Sequence, residues 1–135
     1  AGDNLFEFSL IHLANFFENK KKSTVALFDI QDKAIAAKKY GIVEIDNDFK
    51  IIGFEEKPEK PKTTLISTAC YIFTKQDIQM LESCINENNK PDNLGDFIKW
   101  LSYKEEVFGY IFSEKWFDIG DHKQLNEADI HWSRK

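Results

Sequence analysis

The sequence predicts a mixed α/β protein, a mostly parallel sheet flanked by helices, and three features carry that expectation. Apolar residues recur at helical spacing in segments such as 5–19, 93–103 and 121–132. Between them lie short runs rich in β-branched and aromatic residues, among them Thr24 to Ile30, Thr68 to Phe73 and Val107 to Phe112. Neither repeats nor low-complexity linkers interrupt the alternation, so the 135 residues read as one domain able to bury a core. Twelve phenylalanines should make that core aromatic-rich.

Each element has its own local reason. Asn4 with Glu7 three residues on has the capping-box pattern, and Phe6, Leu10, Leu13, Ala14 and Phe17 follow at helical spacing. A helix over residues 5–19 is therefore expected, with Asp3 near its positive end. Thr24 to Ile30 reads as a buried strand, and Asp32 to Tyr40 as a short helix closed by Gly41. Ile42 to Asp46 and Phe49 to Phe54 are strands joined by the polar turn Asp46-Asn47-Asp48, a hairpin that makes part of the sheet antiparallel. Pro58 and Pro61 stop the second of them. After the strand Thr68 to Phe73, Thr74 and Asp77 can cap a helix whose buried stripe is Ile78, Leu81, Cys84 and Ile85. Asn93 to Tyr103 gives a helix with Phe97, Ile98 and Leu101 inward. Val107 to Phe112 and Trp116 to Ile119 are the last strands. Asp121 with Gln124 then caps a helix whose stripe is Leu125, Ala128 and Trp132.

Composition excludes several function classes. A net charge of −5 without a basic stripe argues against nucleic acid as the main partner. Lys20-Lys21-Lys22, the one cationic run, reads as a solvated helix end complementing the dipole. Cys70 and Cys84 lack a CxxC partner and suit buried, reduced thiols in a cytoplasmic protein. His12, His122 and His131 have no metal-ligand spacing and fall on expected helices. No apolar run is long enough to span a membrane.

Chemistry concentrates at strand ends. In Trp116-Phe117-Asp118-Ile119-Gly120-Asp121 and in Gly2-Asp3-Asn4 a carboxylate stands where an apolar segment meets a turn. Ligands of α/β proteins sit at such positions. Asp3 and Asp118 together suit Mg²⁺, a hard cation that usually takes only one or two carboxylates. Ala1-Gly2-Asp3-Asn4 opens at a turn with no strand leading into it, so the chain reads as the later part of something larger and Asp3 as a carboxylate at a cut edge. In Phe54-Glu55-Glu56-Lys57-Pro58 a carboxylate and an ammonium meet at a strand terminus, a pairing suited to a phosphosugar or simply to a solvated edge. Regular strand geometry sends Glu56 and Lys57 to opposite faces, so both reach one ligand only if the backbone twists there.

The ordered series Gly2-Asp3-Asn4, Lys39-Tyr40-Gly41-Ile42-Val43-Glu44, Glu55-Glu56-Lys57-Pro58, Ser67-Thr68-Ala69-Cys70-Tyr71 and Trp116-Phe117-Asp118-Ile119-Gly120 resembles the sugar-1-phosphate nucleotidylyltransferases. It is most similar to their glucose-1-phosphate thymidylyltransferase branch, over nearly the whole chain. Asp92-Asn93-Leu94-Gly95-Asp96-Phe97 also resembles that family's helix entry near the sugar pocket. The resemblance implies the C-terminal, sugar-phosphate-binding portion of a Rossmann-like nucleotide-diphosphosugar transferase fold. It implies Mg²⁺-dependent attack of a hexose-1-phosphate, glucose-1-phosphate by the branch, on the α-phosphorus of a nucleoside triphosphate such as dTTP, releasing pyrophosphate. Asp3 and Asp118 would hold the metal, and Lys57 the sugar phosphate. Lys57 and Asp118 would thus be the catalytic residues. Glu56 would bind hexose hydroxyls, Gly41 would offer backbone approach, and Trp116 and Tyr71 would wall the sugar site. On sequence alone plainer roles stand beside these: Gly41 as a helix C-cap, Trp116 and Tyr71 as core aromatics, Asp118 as a turn residue.

Two departures from the family pattern bear on function. Thr68-Ala69 stands where the family usually has Thr-Gly, adding a methyl. No GxG pattern occurs, so the glycine-rich loop that cradles the triphosphate is not in this sequence. An inactive half of an enzyme therefore competes with a non-catalytic sugar-phosphate-binding or assembly module. Either should expose a sheet edge, which predicts a homo-oligomer.

Overall fold

A computed structural model describes residues 3–87 and 91–135 of the chain. Ala1 and Gly2 lie outside the described residues, so the Gly2 of the first motif is not placed. The strands are β1 (Asn4–Phe6), β2 (Thr24–Asp29), β3 (Gly41–Ile45), β4 (Ile51–Glu56), β5 (Leu65–Ile72), β6 (Phe108–Phe112) and β7 (Trp116–Asp118). The helices are α1 (Leu10–Lys20), α2 (Lys33–Ala36), α3 (Lys75–Gln79), α4 (Leu81–Asn86), α5 (Leu94–Lys104) and α6 (His122–Ser133).

Five strands form one sheet in the order β4-β3-β5-β2-β6, and β1 pairs with β7 in a separate ribbon. The sheet is mixed, as expected, with a smaller parallel share than the sequence suggested. Strand β2 runs parallel to β6, and the pairs β2–β5, β3–β5, β3–β4 and β1–β7 are antiparallel. The reason lies in the connections. Antiparallel neighbours can be joined by a few residues, whereas parallel ones need a crossover of a dozen or more. Asp46 to Lys50 is such a short turn. Asp46 accepts from the backbone N–H groups of Asp48 and Lys50, at 2.9 and 3.0 Å.

Strand β2 is apolar from Val25 to Phe28 because both its faces are covered there. Val25 and Leu27 pack with Val43, Phe54, Phe97, Ile98 and Leu101 beneath α5, whose expected inward residues are all buried. Ala26, on the other face, joins Leu13 of α1 and the aromatic run Phe8 and Phe112. Phe8 stacks on Phe6 at 4.4 Å and on Phe112 at 4.2 Å between ring centroids, so the many phenylalanines do form the core's second layer. No helix of the described residues is long and apolar enough to cross a membrane.

Four local expectations change. The Asn4 capping box does not form. Residues 4–6 are strand, and α1 starts at Leu10 with Ser9 at its N-cap. Leu5 and Phe6 gain more by pairing with Phe117 and Trp116 than a lone helical turn would offer. The segment ahead of Gly41 is helical only over α2, capped by Asp32. Lys38, with φ of 62°, then turns the chain toward β3, so Gly41 opens a strand and is no helix C-cap. Strand β5 begins at Leu65, earlier than Thr68, because its pairing with β2 runs on to Asp29, where Thr64 Oγ1 donates to Asp29 Oδ1 at 2.6 Å.

The fourth change is the helix after β5, which breaks at Met80 into α3 and α4. Ile78 and Ile85, expected to be buried, are 54% and 49% exposed. Asp77 takes the inward position instead. Its Oδ2 accepts from Ser23 Oγ at 2.5 Å, and Ser23 Oγ in turn accepts from Thr74 N–H at 3.0 Å. Neighbours in a helix lie about 100° apart, so turning Asp77 inward turns Ile78 out. Ser23→Ala is expected to destabilise the fold by about 1–3 kcal/mol, the cost of leaving buried polar groups without their partner. Urea unfolding of the two proteins checks this.

Candidate functional site

The motif residues converge on one cavity of about 540 Å³. Asp3, Gly41, Glu56, Lys57, Tyr71, Trp116 and Asp118 all line it, although they come from both ends and the middle of the chain. The β1–β7 ribbon supplies its acidic wall. Asn4 lies opposite Asp118, and Ile119 N–H donates to the Asp3 carbonyl at 2.7 Å. Asp3 is therefore held at the start of β1 by the segment that leaves β7. Trp116 Nε1 donates to Asn4 Oδ1 at 2.8 Å, and Asn4 Nδ2 donates to Asp3 Oδ1 at 3.0 Å. One asparagine thus ties the indole to the carboxylate.

Burial, followed by the charges of Asp3 and Asp121, raises the Asp118 carboxyl above its usual range, with Lys39 opposing. Two carboxylates sharing a site repel, and a divalent cation between them removes that cost. Among the described residues no group of three or more His, Cys, Asp or Glu side chains could hold a metal. The Asp3–Asp118 pair has the all-oxygen donors and the carboxylate number that Mg²⁺ accepts.

This gives a stability prediction whose sign follows from linkage. Because the folded state binds the Asp118 proton more tightly than the unfolded chain does, ionised Asp118 weakens the fold above the raised value. Stability from this group returns as pH falls through it. Asp118→Asn should therefore raise the melting temperature at pH 7. The gain should shrink as the pH approaches the ordinary aspartate range. Calorimetric scans of both proteins across pH decide it.

The central wall is the end of β4. Lys57 has φ of 46°, left-handed backbone that a lysine seldom adopts. Its N–H donates to the Tyr40 carbonyl at 3.1 Å, and Lys38 N–H donates to the Pro58 carbonyl at 3.0 Å. This turn brings Glu56 and Lys57, which a regular strand would send to opposite faces, onto one cavity. Burial raises the Glu56 carboxyl above its usual range, with Lys57 opposing. The sequence required a twist here for both to share a ligand, and the backbone makes it.

Gly41 pairs across from Glu56 in the β3–β4 register. A Cβ at Gly41 would lie 2.9 Å from Phe54 Cζ and 3.2 Å from Glu56 Oε2. Its value is therefore space beside Glu56. Trp116 is half-buried, packed edge-on against Tyr40 at 5.8 Å, and still lines the cavity. Tyr71 stacks on Phe73 at 5.7 Å, and burial raises its phenol. These aromatics belong to core and cavity alike. Asp121 is a helix cap, accepting from Gln124 N–H at 2.8 Å.

Sequence reading did not single out Asn4, Lys39, Tyr40 or Ser67 as site residues, yet each lines the cavity. Their signal was adjacency: each flanks or belongs to a motif that was quoted. Ala69, the departure from Thr-Gly, also lines it, so the extra methyl faces the ligand space. Asn93 and Gly95 bring the N-terminus of α5 to the same place, and Asn93 caps that helix through Asp96 N–H at 3.0 Å. The histidines stay away from it. His131 Nε2 lies 2.8 Å from Glu7 Oε1 on the far side of the ribbon.

The nucleotidyl transferase family profile matches residues 1–134. The chain belongs to this family. Among curated nucleotidyl transferase relatives, the glucose-1-phosphate adenylyltransferase of Clostridium acetobutylicum is 30% identical over 134 residues, covering 96% of this chain and 35% of that protein. The enzyme of the same description from Ruminiclostridium cellulolyticum is 31% identical over 136 residues, covering 96% and 31%. Among solved structures, one described as a glucose-1-phosphate thymidylyltransferase from Bacillus anthracis, in complex with sucrose, superposes with a TM-score of 0.80 at 25% identity. It is matched over 96% of this chain and 51% of its own. A UDP-glucose pyrophosphorylase complexed with UDP-glucose has the same fold, with a TM-score of 0.80 at 20% identity, covering 98% and 54%. This nucleotidyl transferase chain spans about a third of its curated relatives and about half of the solved chains.

Proposed function

We propose that this chain is the sugar-phosphate half of a sugar-1-phosphate nucleotidylyltransferase, as a single domain portion over residues 1–135, with glucose-1-phosphate as the hexose. The observation that carries the reading is the convergence of Asp3, Glu56, Lys57 and Asp118 on one cavity that also has an aromatic wall. In the reaction an oxygen of the sugar phosphate attacks the α-phosphorus of a nucleoside triphosphate in line, and pyrophosphate leaves. Lys57 pairs with the sugar phosphate and orients it. Glu56 accepts hydrogen bonds from hexose hydroxyls, and the backbone at Gly41 lets the ring approach. Trp116 and Tyr71 wall the ring and exclude water. Asp3 and Asp118 would hold Mg²⁺, which would neutralise phosphate charge there. Positioning and charge neutralisation are all this chemistry asks of a protein.

The nucleotide is dTTP by the motif resemblance, and the adenylyltransferase relatives make ATP the second candidate. Without a glycine-rich loop in its sequence the chain by itself turns over little, and its setting is the cytoplasm. Strand β4 lies at an edge of the five-stranded sheet with Ile52 62% exposed, which supports self-association into a homo-oligomer. Sedimentation velocity over a wide concentration range checks that.

Titration calorimetry with glucose-1-phosphate, with and without Mg²⁺, tests the core of the reading. Saturable binding that Mg²⁺ strengthens is expected, and absence of heat under both conditions sinks it. Pyrophosphate release with dTTP, ATP or UTP should stay at background. Sustained release with any of them would show that the chain is more than a half-site.

A further inference from the structure

Lys39 lies on the same cavity as Lys57, and the reading above leaves it without a role. Two backbone hydrogen bonds clamp the segments that carry the two lysines. Lys38 N–H donates to Pro58, and Lys57 N–H donates to Tyr40. Both Lys38 and Lys57 have left-handed backbone, with φ of 62° and 46°. Such conformations persist only where the surroundings over-determine them. The clamp thus fixes Lys39 and Lys57 relative to each other on one rim.

The partners differ along this short run. Lys38 pairs with Glu59 at 3.6 Å, whereas Lys39 enters no ion pair among the described residues. Lys39 and Asp118 line the same cavity.

Charge balance bears on the Lys39 ammonium. The charged lining groups are the carboxylates of Asp3, Glu56 and Asp118 and the ammoniums of Lys39 and Lys57. A phosphate monoester carries nearly two negative charges near neutral pH. A divalent cation on Asp3 and Asp118 would bring the lining only to neutrality with Lys57 alone. With Lys39 counted as well, the lining becomes net positive and attracts the dianion.

We propose that Lys39 is a second cation on the phosphate of the bound sugar-1-phosphate, sharing it with Lys57 across the clamped rim. The inference rests on the glucose-1-phosphate reading and deepens it. Its role is selection of the phosphorylated sugar over the neutral one.

Calorimetry with glucose-1-phosphate, in Mg²⁺ and over a range of salt, tests this on the parent chain and on Lys39→Gln, Lys39→Arg and Lys57→Ala. Lys39→Gln should weaken binding about tenfold and flatten its salt dependence, because a charge-assisted contact is lost. Lys39→Arg should stay within about threefold of the parent, since the charge is kept. Lys39 is exposed, so the melting temperature should not move. If Lys39→Gln binds like the parent with the same salt slope while Lys57→Ala loses affinity, the Lys39 proposal is overturned and the functional reading survives. If the parent itself does not bind glucose-1-phosphate, both fall together.

Discussion

Lys57→Ala is expected to weaken glucose-1-phosphate binding by roughly 10- to 150-fold, the equivalent of one hydrogen bond to a charged group. The size follows from where the turn puts this ammonium. Lys57 shares the cavity with Asp3, Glu56 and Asp118, and a phosphate that enters without it meets three carboxylates. Removing the lysine therefore deletes an attraction and exposes a repulsion. Burial raises the Glu56 carboxyl and the Lys57 charge opposes this, so the same change should raise it further.

Backbone strain separates binding from folding at this position. Left-handed backbone costs a lysine or alanine about 1–2 kcal/mol relative to glycine. Lys57→Gly should therefore bind as poorly as Lys57→Ala and yet unfold at higher denaturant. Calorimetry and urea unfolding on the two variants, side by side, would show it. Equal stability of the two would mean that the turn stores no strain, and unchanged affinity in both would remove Lys57 from the site.

How much of this was legible beforehand depends on the range of the forces involved. The helices over Asn93 to Tyr103 and after Asp121 were readable because each cap lies within a few residues of its helix, although of the stripe expected after Asp121 only Ala128 is buried, with Leu125 and Trp132 exposed. The hairpin at Asp46 to Lys50 was readable for the same reason. Asn4 to Phe6 was not. Its capping pattern is real in sequence, but Trp116 and Phe117, more than a hundred residues away, offer the better partners. Ile78 failed similarly, because periodicity cannot foresee that Asp77 will turn inward to meet Ser23.

The site divides along the same line. Which residues would gather was legible from the ordered motifs, and all seven chosen ones do line one cavity. How they gather was not. The left-handed Lys57, the Asn4 link between Trp116 and Asp3, and the clamp that carries Lys39 are contacts between distant segments. The plain reading of Gly41 as a helix cap fails because α2 stops at Ala36, and that ending depends on Lys38 meeting Pro58.

Gly41→Val should remove sugar-phosphate binding and destabilise the fold in one step. Even a Cβ would stand 2.9 Å from Phe54 Cζ, and Phe54 cannot retreat, being buried among Leu27, Phe97 and Leu101 beneath α5. Overpacking of this kind typically costs about 1–3 kcal/mol. The second neighbour, Glu56 Oε2 at 3.2 Å, can move, but that displaces the carboxylate proposed to bind the hexose. A smaller probe separates the two effects. Gly41→Ala adds the same Cβ without the branched methyls, so its stability loss should be the lesser, while its affinity for glucose-1-phosphate should still fall by about tenfold or more. Two measurements decide the matter, urea midpoints for the fold and calorimetry for the ligand. Were Gly41→Ala to bind like the parent, the space beside Glu56 would serve packing alone, and the hexose would have to lie elsewhere in the cavity. Were both variants to lose binding while Gly41→Ala keeps nearly full stability, the absent side chain at this strand start would be a requirement of the ligand, imposed on a position where the backbone itself has no need of glycine.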